Sequence, residues 1–90
     1  MDAKQAVGIA KDYIADLFAP EQIRNLGLEE VEFDQGEGVW FVTIGFARPW
    51  EQSGFLARSG LAEPRSFKIL RISNEDGRVF SVKDRRPVAA

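Results

Sequence analysis

Apolar residues recur at steps of three and four along the opening of the chain. Ala3, Val7, Ala10, Ile14, Leu17 and Phe18 make one stripe, the mark of an amphipathic helix. Lys4, Lys11, Asp12 and Asp16 fall mostly off it. Asp2 with Gln5 three residues on has the spacing of a capping box. Pro20 closes the segment, because the residue before a proline is pushed out of helical geometry. The pattern predicts a helix from Ala3 to Phe18, about 24 Å long. Pro20 and Gly27 then frame one short helical turn across "APEQIRNLG".

Beyond Leu28 the period changes to two. "LEEVEF" alternates from Glu30 to Phe33 and predicts a strand with Val31 and Phe33 on one face. "DQGEG" is a turn in which Gly36 and Gly38 permit positive φ. "VWFVTIGFA" follows, rich in β-branched and aromatic residues. Trp40, Val42, Ile44 and Phe46 share one face of it, and Val39, Phe41 and Thr43 the other. Apolar side chains on both faces predict a central strand covered on both sides. "SFKILRIS" and "RVFSVKD" are the third and fourth strands, joined by "NEDG", with Gly77 placed for a left-handed turn position. Between the second and third strands lies a long loop, Arg48 to Arg65, punctuated by Pro49, Gly54, Gly60 and Pro64. Strands joined by short turns pair antiparallel, and the helix must bury its stripe on the sheet. The expectation is an α+β, two-layer domain spanning residues 1–90, an N-terminal helix on a four-stranded antiparallel meander.

Composition narrows the chemistry. The chain is 44% hydrophobic and 29% charged, within the globular range. It has no cysteine and no histidine. Thiolate chemistry, disulfides, Cys-based zinc sites and imidazole acid–base catalysis have no residues to use. No cofactor and no metal are expected, and the chain is read as not an enzyme. With 12 basic and 14 acidic residues, net charge is −2, so a nucleic-acid partner is disfavoured. The charged N-terminal segment is neither a signal peptide nor a membrane span. With Met1 as the start, a cytoplasmic protein is expected.

The helix-then-strands order, with the closing hairpin, resembles the small PepSY-like and cystatin-like domains. The hairpin runs Phe67, Lys68, Ile69, then Glu75, Asp76, Gly77, then Val79, Phe80, Ser81, Val82. The similarity covers Arg65 to Arg85, and the helix agrees in kind. It implies an N-terminal helix packed on an antiparallel sheet, and a binding or regulatory role rather than catalysis.

Three clusters are candidate sites. The Arg48–Arg65 loop carries Trp50, Phe55, Leu56 and Leu61, with Arg48 and Arg58 beside them. Large apolar residues in a polar loop read either as a partner-binding surface anchored by Trp50 or as a lid folded over the sheet. Glu29, Glu30, Glu32, Asp34 and Glu37 form an acidic strip; a solvated edge-strand face is preferred over calcium or acid–base chemistry. Arg71, Arg78, Lys83, Arg85 and Arg86 form a basic end to the hairpin. They read as an anion or acidic-protein contact, or as partners for Glu75, Asp76 or Asp84. The expected function is a small cytosolic binding or regulatory module contacting another protein through the sheet and the 48–65 loop. Alternatives are a pocket between helix and sheet in a ligand-binding or enzymatic domain, an immunity- or antitoxin-like inhibitor, and a homodimer in which two sheets or edges meet.

Overall fold

The computed structural model describes residues 1–48 and 65–85. Helix α1 spans Ala3–Leu17. A single 3₁₀ turn, Ala19–Glu21, leads into strand β1 (Arg24–Asp34). Strands β2 (Val39–Ala47), β3 (Ser66–Ser73) and β4 (Val79–Asp84) follow. The strands form one antiparallel sheet in the order β1-β2-β3-β4, so β1 and β4 are its edges. The helix lies against β1, β2 and β3. This is the expected two-layer α+β arrangement.

The helix begins as its sequence predicts. Asp2 accepts from the Gln5 N–H at 2.8 Å, and the Gln5 side chain accepts from the Asp2 N–H at 2.9 Å, so two N-terminal donors are satisfied reciprocally. The buried stripe follows the expected one through Val7, Ala10, Ile14 and Phe18, gains Ala6, and loses Leu17. Ala6, Ala10 and Ile14 have no exposure, whereas Leu17 is 51% exposed. Phe18 caps the helix instead of extending it. Its ring turns inward onto Phe46, centroids 5.2 Å apart. Chain reversal therefore hands the last core position from Leu17 to Phe18. Two alanines at the contact bring the helix backbone close to Val42, Ile44, Phe46, Leu70 and Ile72, the rest of the core.

The segment after Pro20 also differs. The helical turn stops at Glu21, and Gln22 takes the left-handed position with φ 52°. Gly27 ends no helix; it sits inside β1, paired with Gly45. Strand β1 thus starts well before the predicted Glu30, and two register shifts, between Arg24 and Gly27 and between Leu28 and Glu30, kink it. Those bulges break the simple alternation by which a strand is read from sequence. In the β1–β2 turn, Gly38 has positive φ (67°) and Gly36 does not. The β3–β4 turn uses Gly77 at φ 76°, as its sequence predicts.

Candidate functional site

Register sorts every strand residue onto one of two faces, because directly paired residues point the same way. Val31, Val42, Leu70 and Val82 pair in one row beneath the helix. The row beside it, Glu30, Thr43, Ile69 and Lys83, faces the other way. So does the row of Glu32, Phe41, Arg71 and Ser81. At the far end Gly45 pairs with Phe67, whose carbonyl accepts from the Arg85 N–H at 2.9 Å. The face opposite the helix thus has an apolar centre on β2 and β3. An acidic edge flanks it on β1, and a basic edge on β4.

The acidic strip is more than a solvated edge. Glu30 meets Arg85 at 3.7 Å, Glu37 meets Arg71 at 3.6 Å and Glu29 meets Arg65 at 3.7 Å. Glu30 stands on edge strand β1 and Arg85 just past the end of the other edge strand, β4, so their ion pair spans the face. Asp34 accepts from the Glu37 N–H at 3.2 Å and shapes the turn. The hairpin cations therefore pair with the strip more than with the turn acids suggested by sequence; Asp84 pairs with Lys68 on the helix side. These pairs are half-exposed and individually weak.

Arg71 and Arg78 do stand near each other, with Phe80 between them. Their guanidinium carbons lie 5.7 and 5.5 Å from the Phe80 ring centroid, cation–π range. Phe80 is 46% exposed. A register shift between Arg71 and Ile72 leaves Phe80 unpaired in the ladder and puts it beside the arginines. Sequence reading passed over this residue, because a bulge has no periodic signature.

Of the predicted partner-binding residues, Trp50, Phe55, Leu56, Arg58 and Leu61 lie outside the described residues, as does Arg86. Arg48 is described and belongs to the helix side. Its guanidinium rests 5.0 Å from the Phe18 centroid and 5.4 Å from that of Phe46, and it meets Glu21 at 3.6 Å. Lys68 approaches Phe18 as well, at 5.6 Å. These two cations close the end of the core with their stems.

Elsewhere, Met1, Gln5, Gly8, Ile9, Asn74, Glu75 and Asp76 line a shallow depression of about 530 Å³ between the helix start and the hairpin turn. Asp76 accepts from the Arg78 N–H at 3.0 Å. That bond, followed by one from the Ser73 hydroxyl and the charge of Arg78, holds its carboxyl below the ordinary aspartate value of 3.8. Its oxygens serve the turn, the reading preferred for "NEDG". Among the described residues no group of three or more acidic residues is arranged to hold a metal. Nor is any described helix long and apolar enough to cross a membrane. Between α1 and the sheet the side chains are close-packed, with Ile14, Val42 and Ile44 at zero exposure. No family model, curated protein or solved structure matches the chain.

Proposed function

We propose that this is a non-catalytic binding or regulatory module that contacts another protein through the sheet face opposite the helix and the adjoining 48–65 segment. What carries the reading is that face. It holds Phe41, Phe67 and Ile69 at its centre and a half-exposed Phe80 between two arginines. Aromatic and arginine side chains are the types enriched where proteins bind one another. The PepSY-like or cystatin-like resemblance of the hairpin agrees with such a role, as does a composition without histidine or cysteine.

The test is quantitative capture from the native cell, with wild type, Phe80→Ser and Trp50→Ala as baits. All three are first shown by circular dichroism to keep the fold. A partner held near stoichiometry by wild type and lost with a folded variant supports the proposal. Identical retained proteins on all three baits would reject it.

A further inference from the structure

Resting on the reading of this chain as a binding module, we propose that β4 is a docking edge whose occupant is an extended, acidic segment of a partner protein, added antiparallel to the sheet. Hydrogen-bond parity locates the open groups. The Arg85 N–H donates to the Phe67 C=O at 2.9 Å, and the Ser73 N–H to the Arg78 C=O at 2.8 Å. The odd-numbered residues of β3 thus turn their main-chain groups toward β4. Ser81 and Lys83, paired with Arg71 and Ile69, turn theirs back. Val82, between them, therefore points both its N–H and its C=O away from β3. β4 is an edge strand, and among the described residues no main-chain group bonds these two. An edge contact leaves the covered centre of the sheet face untouched, where Thr43 is 1% exposed.

The side chains along this edge select the occupant. Arg78 and Lys83 are exposed and have no ion-pair partner among the described residues. Arg71 meets Glu37 at 3.6 Å, and that pair is half-exposed. Phe80, 46% exposed, sits between the two arginines. On a chain of net charge −2, this is a local excess of cations beside open main-chain groups. Added strands draw affinity from main-chain bonds and specificity from alternate side chains. An incoming residue opposite Val82 takes both of its bonds and points to the helix side, where Val82 packs on the core; an apolar side chain suits it. Its two neighbours fall opposite Ser81 and Lys83, on the other face. Carboxylates there face Lys83 on one side and the arginines around Phe80 on the other. The segment selected is therefore acidic, apolar and acidic at successive positions.

The other edge refuses the same segment. β1 presents Glu29, Glu30, Glu32 and Asp34 and is kinked by two register shifts, and like charges set against each other oppose docking. A single-stranded nucleic acid, the other ligand of arginines and aromatic rings, offers no extended peptide main chain to Val82.

The contact spans few residues, so a free peptide should bind with a Kd between about 10 µM and about 1 mM. The probe is a synthetic peptide of about seven residues, alternating Glu and Val, titrated into the isotope-labelled full chain and followed by NMR. Binding should saturate, weaken at high salt, and slow hydrogen exchange at the Val82 amide by more than about 10-fold. Arg78→Glu and Lys83→Glu should each weaken it by about 10-fold or more, with melting curves confirming that both variants fold. The same peptide with its valines N-methylated keeps every charge but loses the donor for the Val82 C=O, and should not bind. A peptide alternating Lys and Val should not bind either. No binding at about 1 mM, equal binding by either control peptide, or shifts confined to another strand overturns the proposal. So does a single-stranded oligonucleotide that takes the same edge more tightly. Val82 protection that grows with chain concentration alone also overturns it, since a second copy then occupies the edge. If the peptide fails yet capture from the native cell still yields a Phe80-dependent partner, this inference falls while the binding-module reading stands.

Discussion

Ile14 and Leu17 lie on the same predicted stripe but have opposite fates, so truncating each to alanine measures the phase of the helix. Ile14 has no exposure and packs within the cluster of Ala10, Ile44 and Phe46. Ile14→Ala removes buried methyl groups and leaves a cavity under a helix seated on alanines, which yields little. Such changes cost about 2–5 kcal/mol. A domain of this length holds about 5–13 kcal/mol in all, and each kcal/mol moves the melting temperature by about 4–8 °C. A loss near 3 kcal/mol therefore lowers the midpoint by about 12–24 °C. Leu17 is 51% exposed, and alanine is the better helix former, so Leu17→Ala should cost less than about 1 kcal/mol. Ile14→Asp should be worse than Ile14→Ala, since a carboxyl placed there finds no hydrogen-bond partner among apolar neighbours. Urea and thermal unfolding followed at the helix band of circular dichroism give both numbers. Equal losses at the two positions, or a larger loss at Leu17, would refute the helix orientation described above.

Three further outcomes are expected. Gly77→Ala should lower the melting temperature by several degrees, because φ of 76° disfavours an L side chain and a Cβ would sit 3.0 Å from Ile9 Cδ1; an unchanged midpoint would contradict this turn geometry. In Trp40→Phe the 2.9 Å bond from indole Nε1 to Asn74 Oδ1 is lost, at about 1 kcal/mol, and the Asn74 side-chain amide resonances should move; no movement would rule the bond out. Asp76 should titrate below 3.8 in an NMR pH series. With its folded pKa depressed, its contribution is present above the unfolded value and is lost as pH falls through the folded one. Asp76→Asn should therefore flatten the acid limb of stability, and a carboxyl midpoint at or above 3.8 would reverse the argument.

What could be read directly from the chain was whatever a local rule controls. The Asp2–Gln5 box, the run from Val39 to Ala47 and the turn at Gly77 each depend on a few adjacent residues, and each stands where its pattern puts it. Misreadings occurred where the chain leaves a regular period. Gly27 looked like a helix stop because glycine often is one; two bulges make it a strand residue. The acidic strip was legible as an exposed edge, but its cations come from β3, the end of β4 and Arg65, far off in sequence, and no local window connects them. Phe80 was missed for the same reason as Gly27.

By itself, then, the sequence determined the element types and their order, and with them the two-layer arrangement. Periodicity and turn chemistry act over three or four residues, and short links leave β1 with β2 and β3 with β4 only antiparallel pairing, whereas the long link between β2 and β3 leaves their pairing to the folded sheet. Only the tertiary structure decided that Phe18, and not Leu17, closes the core's end. It alone brought Glu30 of one edge to Arg85 beyond the other and set Phe80 between Arg71 and Arg78. Such contacts depend on register, and register follows from the whole sheet folding against the helix at once.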